Sequence, residues 1–189
     1  MLSGRQFSSQ RGASMIEVLV TLVIIAFGLL GMAGLQMRLQ MSEMESYQRS
    51  QALLILNDIA NRMTVNRNNA ASYVVVPANP LGAGMTCPST TNTTVQRDLS
   101  EWCSILQGAA ETTNSGVTQL GAMIGGRGCI EQIGSDYLLT VAWQGLTPIA
   151  APSLSVACGA NSYNASAGSP CVGDRCRRTV TTLVRIAAL

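Results

Sequence analysis

From Met15 to Leu35 the chain carries one strongly polar side chain, Glu17, in an otherwise apolar run of 21 residues. As a helix that run spans about 31 Å, enough to cross a bilayer core of about 30 Å. Beyond Leu35 the helical period continues while the composition changes. Met37, Met41, Met44, Ala52, Ile55, Ile59 and Met63 return at three- or four-residue steps apart from one gap, and Arg38, Gln40, Glu43, Gln48, Arg49, Asp58 and Arg62 occupy the polar sides. This pattern predicts an amphipathic helix whose apolar stripe covers a sheet. Methionines at this spacing read as core. Asn66, Asn68 and Asn69 predict the helix end, because asparagine tolerates helix-terminal conformations. A helix over residues 14–66 would be about 80 Å long.

Residues 70–127 hold Pro77, Pro80, Pro88 and a Ser/Thr/Asn run from Ser89 to Thr94, which predict a loop-rich connector with a short helical piece near Asp98–Gln107. Strand signals follow. Tyr137, Leu139, Val141 and Trp143 alternate on one face, and Gly134-Ser135-Asp136 joins them to Cys129–Ile133 as a hairpin. Arg178–Ile186 alternates as well, with Val180, Val184 and Ile186 on one face and Thr179, Thr181 and Arg185 on the other, predicting a terminal strand. Between them lies a Pro/Ser/Gly/Asn-rich insertion, Thr147–Pro170. The expected fold class is α+β: a long N-terminal helix, membrane-compatible in its first half and amphipathic in its second, packed on a C-terminal antiparallel sheet domain. Gly28, Gly31 and Gly34 place small surfaces on the apolar helix where neighbouring helices can approach.

Charge and cysteine usage narrow the function. Twelve arginines, no lysine and ten acidic residues give a net charge of +2, and Arg5 and Arg11 precede the apolar run. Without residues 1–12 the balance is zero, which speaks against general attraction to nucleic acid or anionic lipid. Cys87, Cys103, Cys129, Cys158, Cys171 and Cys176 all follow the long helix. An even set in that region fits structural disulfides in an oxidising compartment, and six cysteines allow 15 pairings. Cys87 with Cys103 is the favoured pair, because it closes a local loop containing Pro88 and Trp102. A zinc site would need CxxC pairs or histidine, and the chain has neither. No calcium-ligand cluster stands out, so neither metal nor cofactor is expected. Zero His and zero Lys leave no Ser-His-Asp, Cys-His or Ser-Lys arrangement. Asp98, Glu101, Glu111, Glu131, Asp136 and Asp174 are scattered and read as surface or capping charges, so no catalytic residue is expected. Gly125-Gly126-Arg127-Gly128 lacks the Lys-Ser/Thr ending of a phosphate loop and reads as a flexible turn. Arg175, Arg177 and Arg178 form the one basic cluster, expected to face solvent or pair with Asp174; DNA binding is not expected.

The junction Arg11-Gly12-Ala13-Ser14-Met15-Ile16-Glu17 puts the small residue before the apolar stretch, the reverse of a secretory signal. With Val18-Leu19-Val20-Thr21-Leu22 it closely resembles the type IV prepilin family. The resemblance implies cleavage by a prepilin peptidase between Gly12 and Ala13, N-methylation of Ala13, and a docking role for the Glu17 carboxylate during assembly. It divides the chain into a leader (1–12), a transmembrane and filament-core helix (13–35), its amphipathic continuation (36–67) and a disulfide-bonded periplasmic or extracellular domain (68–189). Phe27-Gly28-Leu29-Leu30-Gly31-Met32-Ala33-Gly34-Leu35-Gln36 and Asn57-Asp58-Ile59-Ala60-Asn61-Arg62-Met63 resemble the minor pilins of that family. Ala13 stands where major pilins usually have phenylalanine, and no proline kinks the helix. The implied partners are other minor pilins, the major pilin, a PilY-type tip adhesin, the peptidase and the inner-membrane assembly platform, with the chain held in the inner membrane before it enters a surface pilus. A minor pseudopilin of type II secretion is the alternative; a membrane-anchored periplasmic enzyme or adhesin is a third reading.

Overall fold

The computed structural model describes residues 14–108, 123–166 and 168–186. Two compact units divide the chain, Met1–Ser42 and Glu43–Leu189. Helix α1 runs over Met15–Val65. In the first unit every large apolar side chain from Met15 to Met41 is exposed. In the second unit the helix buries a stripe of Gln48, Ala52, Ile55, Leu56, Ile59 and Met63. The lower part of the expected stripe is therefore core, whereas Met37, Met41 and Met44 are exposed. Gln48 was expected on a polar side and is buried instead, with its Oε1 lacking a hydrogen bond.

α1 ends at Val65, and a 3-10 turn over Arg67–Tyr73 follows. The connector holds a short strand β1 (Leu81–Gly82) and helix α2 (Thr94–Leu106). α2 starts four residues before the expected helical piece because Thr93 and Gln96 form a capping box, each side chain accepting from the other residue's backbone N–H. β2 (Arg127–Ile133), β3 (Asp136–Gln144) and β4 (Arg177–Arg185) complete a four-stranded antiparallel sheet in the order β1-β2-β3-β4. Ile133 pairs with Asp136, so the β2–β3 turn is only Gly134-Ser135. Gly134 supplies φ +63° at its first central position, as a type II′ hairpin turn needs.

Tyr137, Leu139, Val141 and Trp143 are all buried and face α1 and α2, together with Ile130, Val180 and Val184. Gly128 lies under Trp102: a Cβ there would sit 2.3 Å from the Trp102 ring. Gly126 is tight as well, a Cβ there lying 2.6 Å from the Leu106 carbonyl oxygen. The Gly125–Gly128 run is thus a packed strand entry, and the expectation of a flexible turn is corrected by close helix–strand approach. β3 is buried on its second face too, at Thr140 and Ala142. The insertion folds over that face, fastened by a disulfide from Cys158 to Cys129 on β2 and by Tyr163, whose ring carries the Arg127 guanidinium at 5.1 Å.

Candidate functional site

The apolar helix begins at a defined cap. Ser14 precedes it, and the Glu17 backbone N–H donates to the Ser14 carbonyl at 3.0 Å and lies 3.3 Å from its Oγ. Ser14-Met15-Ile16-Glu17 has the Ser-x-x-Glu spacing of a capping box, a signal readable in the sequence but absent from the expectations above. A carboxylate in the first helical turn also meets the positive end of the helix dipole. Glu17 is exposed, as are Met15, Ile16 and Val18 around it. Gly12 and Ala13 lie outside the described residues. Gly28, Gly31 and Gly34 have open space where a Cβ would stand. Among the described residues α1 is the one helix long and apolar enough to cross a membrane, and its apolar window is wholly exposed. A helix apolar all round needs lipid or other helices to cover it.

Within the second unit two polar nodes hold α1 in place. Glu45 Oε1 accepts from the backbone N–H groups of Leu146 (3.0 Å) and Thr147 (3.3 Å), from the Thr147 hydroxyl (3.2 Å) and from Arg178 Nη2 (3.0 Å). Arg178 also donates to the Thr147 carbonyl at 2.6 Å. Burial works against the Glu45 charge, but the Arg178 guanidinium and the Thr147 and Leu146 N–H groups outweigh it and hold the carboxyl below its ordinary range. Arg62 makes the second node. Its Nε donates to Asp58 at 2.9 Å, and its Nη1 donates to Asp98 at 3.1 Å and Glu101 at 2.5 Å. Asp98 accepts from the Tyr73 hydroxyl, which in turn accepts from Asn66 Nδ2 at 3.0 Å. Burial, and then the bond to Asp98, push the Tyr73 phenol up to about 12.

Asp98 is therefore a buried structural acid, which corrects the expectation of a surface or capping charge; Tyr73 and Arg62 make its burial tolerable. Asp136 pairs with Arg185 at 3.5 Å. Asp174 accepts from the Asn161 N–H at 2.7 Å and lies 3.2 Å from Arg177 Nε, as the Asp174 pairing foresaw. The basic cluster is dispersed: Arg177 is buried and donates to the Val156 and Cys158 carbonyls, Arg178 is held by Glu45, and Arg175 is exposed. The Glu45–Arg178 partnership, 133 positions apart, had no local sequence signal, and in the Arg62 node only the Asp58–Arg62 pair, four positions apart on one helix, did. Glu111 lies outside the described residues.

The cysteines pair as Cys87–Cys103, Cys129–Cys158 and Cys171–Cys176. The first is the favoured local pair; the second ties the middle of the insertion to β2, and the third closes a short loop just past its end. Among the described residues no group of three or more His, Cys, Asp or Glu is placed to hold a metal.

Neither a curated protein nor a solved structure matches the chain. Residues 7–33 match the prokaryotic N-terminal methylation motif. That type IV prepilin-like motif, together with a long apolar helix, a four-stranded antiparallel sheet and three disulfides in a pilin-like α+β architecture, supports a structural protein of the type IV pilin or pseudopilin class.

Proposed function

We propose that the protein is a minor pilin, similar to the PilV type, whose activity is assembly. A peptidase cuts between Gly12 and Ala13, Ala13 is N-methylated, and the mature chain waits in the inner membrane with residues 13–35 spanning it and the disulfide-bonded domain outside the cytoplasm. It then enters the tip or shaft of a type IV pilus beside other minor pilins, helps to start polymerisation and connects to a PilY-type adhesin, supporting twitching motility and attachment. The observation that carries this reading is Glu17, the one charged side chain between Met15 and Leu35, in the exposed apolar part of a helix that begins inside a methylation motif. A charge at the centre of a membrane helix costs about 2.5–3.5 kcal/mol, less near an end, so its presence there calls for a partner. A newly freed amine, its own or a neighbour's, is the partner this reading supplies.

The test is the amount of pilin in the sheared surface fraction of a strain lacking the protein, with the native chain or Glu17→Ala restored. Loss of surface pili, recovery with the native chain and no recovery with Glu17→Ala, although that variant is still processed, are the expected results. Unchanged pili with failing secretion would replace this reading by a minor pseudopilin of type II secretion.

A further inference from the structure

α1 enters the second unit at the end of the sheet from which the insertion departs. Glu45, near the start of that unit, accepts from the Leu146 and Thr147 N–H groups just past β3. Gln144, the last residue of β3, pairs there with Arg177, the first of β4. The Gly134-Ser135 turn closes the other end of β3, about 26 Å away along the nine-residue strand. Apolar side chains are exposed at the α1 end. Ile149, 49% exposed, donates its N–H to the Arg175 carbonyl at 2.9 Å. Leu154, 96% exposed, sits in a turn closed by the Val156 N–H on the Ser153 carbonyl, and Arg177 donates to the Val156 carbonyl. Val172, 45% exposed, lies in the Cys171–Cys176 loop with exposed Arg175. From Gly145 to Gly173 the sequence holds no Asp, Glu, Lys or Arg. Glu45 and Asp174, the acids bonded to this part of the domain, are held by internal donors, and exposed Glu43 lies on α1 between exposed Arg38 and Arg49.

We propose that this end of the domain rests on the bilayer surface while the chain is stored in the membrane, with Ile149, Leu154 and Val172 dipping into the headgroup layer and Arg175 meeting lipid phosphate. The proposal rests on the membrane-spanning reading of residues 13–35. Glu45 comes about ten positions after Leu35, about 15 Å of helix, so the anchor itself keeps this end within reach of the headgroups at a high effective concentration. An uncharged surface costs little to dehydrate, whereas an unpaired charge on it would oppose the contact. A cation beside exposed apolar side chains is the chemistry that a headgroup layer accepts. The zero balance of the chain without residues 1–12 gives no long-range attraction, so the contact depends on the anchor and on these apolar side chains.

The test uses the full chain in vesicles of phosphatidylethanolamine and phosphatidylglycerol, floated to establish insertion, with an environment-sensitive fluorescent residue at Leu154 or at Ser135. Nitroxide groups high on the lipid acyl chains read depth. The Leu154 probe should lie about 5–10 Å into the headgroup and acyl boundary and be quenched, and the Ser135 probe should not. With the probe moved to Val172, Leu154→Ser should lower the ratio of quenched to unquenched chains about tenfold, the share of one buried leucine. Leu154 is almost fully exposed, so that variant should keep the native melting point. Equal quenching at both sites, none at Leu154, a blue shift there without quenching, as a protein cover would give, an unaltered ratio in Leu154→Ser or a lower melting point would overturn the proposal and leave the membrane-spanning reading standing. Chains that fail to float with the vesicles would overturn both.

Discussion

The Glu45 node gives the sharpest test of how α1 is held in the second unit. Glu45→Gln removes the negative charge while keeping the shape, and deprives Arg178 of its ion pair at 3.0 Å. Hydrogen bonds to charged groups are worth about 1.5–3 kcal/mol, and fully exposed pairs about 0–1 kcal/mol. The Arg178 side chain is 11% exposed and Glu45 30%, so the node lies between those limits. Allowing for screening at Glu45, we expect a loss of about 2 kcal/mol at neutral pH. In a unit of this size that lowers Tm by about 4–8 °C. The full chain in detergent micelles, oxidised, followed by near-ultraviolet circular dichroism, is the assay. The pH dependence carries the reasoning further. The folded carboxyl is held below its ordinary value near 4.5, so its contribution is fully present above that value and is lost as pH falls through the lower folded value. The native and Glu45→Gln curves should therefore separate above about pH 5 and converge in acid. A gap that stays the same at pH 3, or one under about 0.5 kcal/mol at pH 7, would refute the charge-based account.

Gly128→Ala sets a Cβ 2.3 Å from the buried Trp102 ring and 2.7 Å from Leu106 Cδ1. Overpacking of this kind costs about 1–3 kcal/mol, and with two rigid neighbours we expect the upper end, read as a fall in denaturant midpoint with an unchanged slope. Tyr73 has its phenol raised from 10.0 to about 12, so its contribution is complete below pH 10 and is lost as pH rises toward 12. Tyr73→Phe should flatten the loss of stability over that interval in an alkaline titration; an equally steep loss would assign it to other groups.

Much of the fold was written in local pattern. A 21-residue apolar run needs neither partner nor distant contact to be read as a helix, since length and composition suffice. Tyr137, Leu139, Val141 and Trp143 announced both a strand and its buried face, because a period of two has one meaning. Cys87 and Cys103, 16 positions apart around a compact loop, were close enough to favour without a structure. The start of α2 was also legible in Thr93 and Gln96, and the start of α1 in Ser14 and Glu17, although neither capping signal was used. The methionine stripe was read too generously: periodicity marks an apolar face but does not say where along the helix a cover exists, and Met37, Met41 and Met44 have none.

The sequence by itself determined the N-terminal half of this protein's character: a methylation motif, one acid in an apolar helix, and an oxidised α+β domain with no histidine or lysine for common nucleophilic chemistry. Those properties follow from residue type and short spacing, which the chain displays before it folds. Tertiary structure alone decided which charges matter. It took Glu45 and Arg178 from opposite ends of the domain and made them a latch, buried Asp98 under Tyr73 and Arg62, turned a glycine run into the floor beneath Trp102, and left one oxygen of Glu131 buried without a donor. The energy of a polar group depends on burial and on its partners, and both are fixed only when segments far apart in sequence are brought into contact.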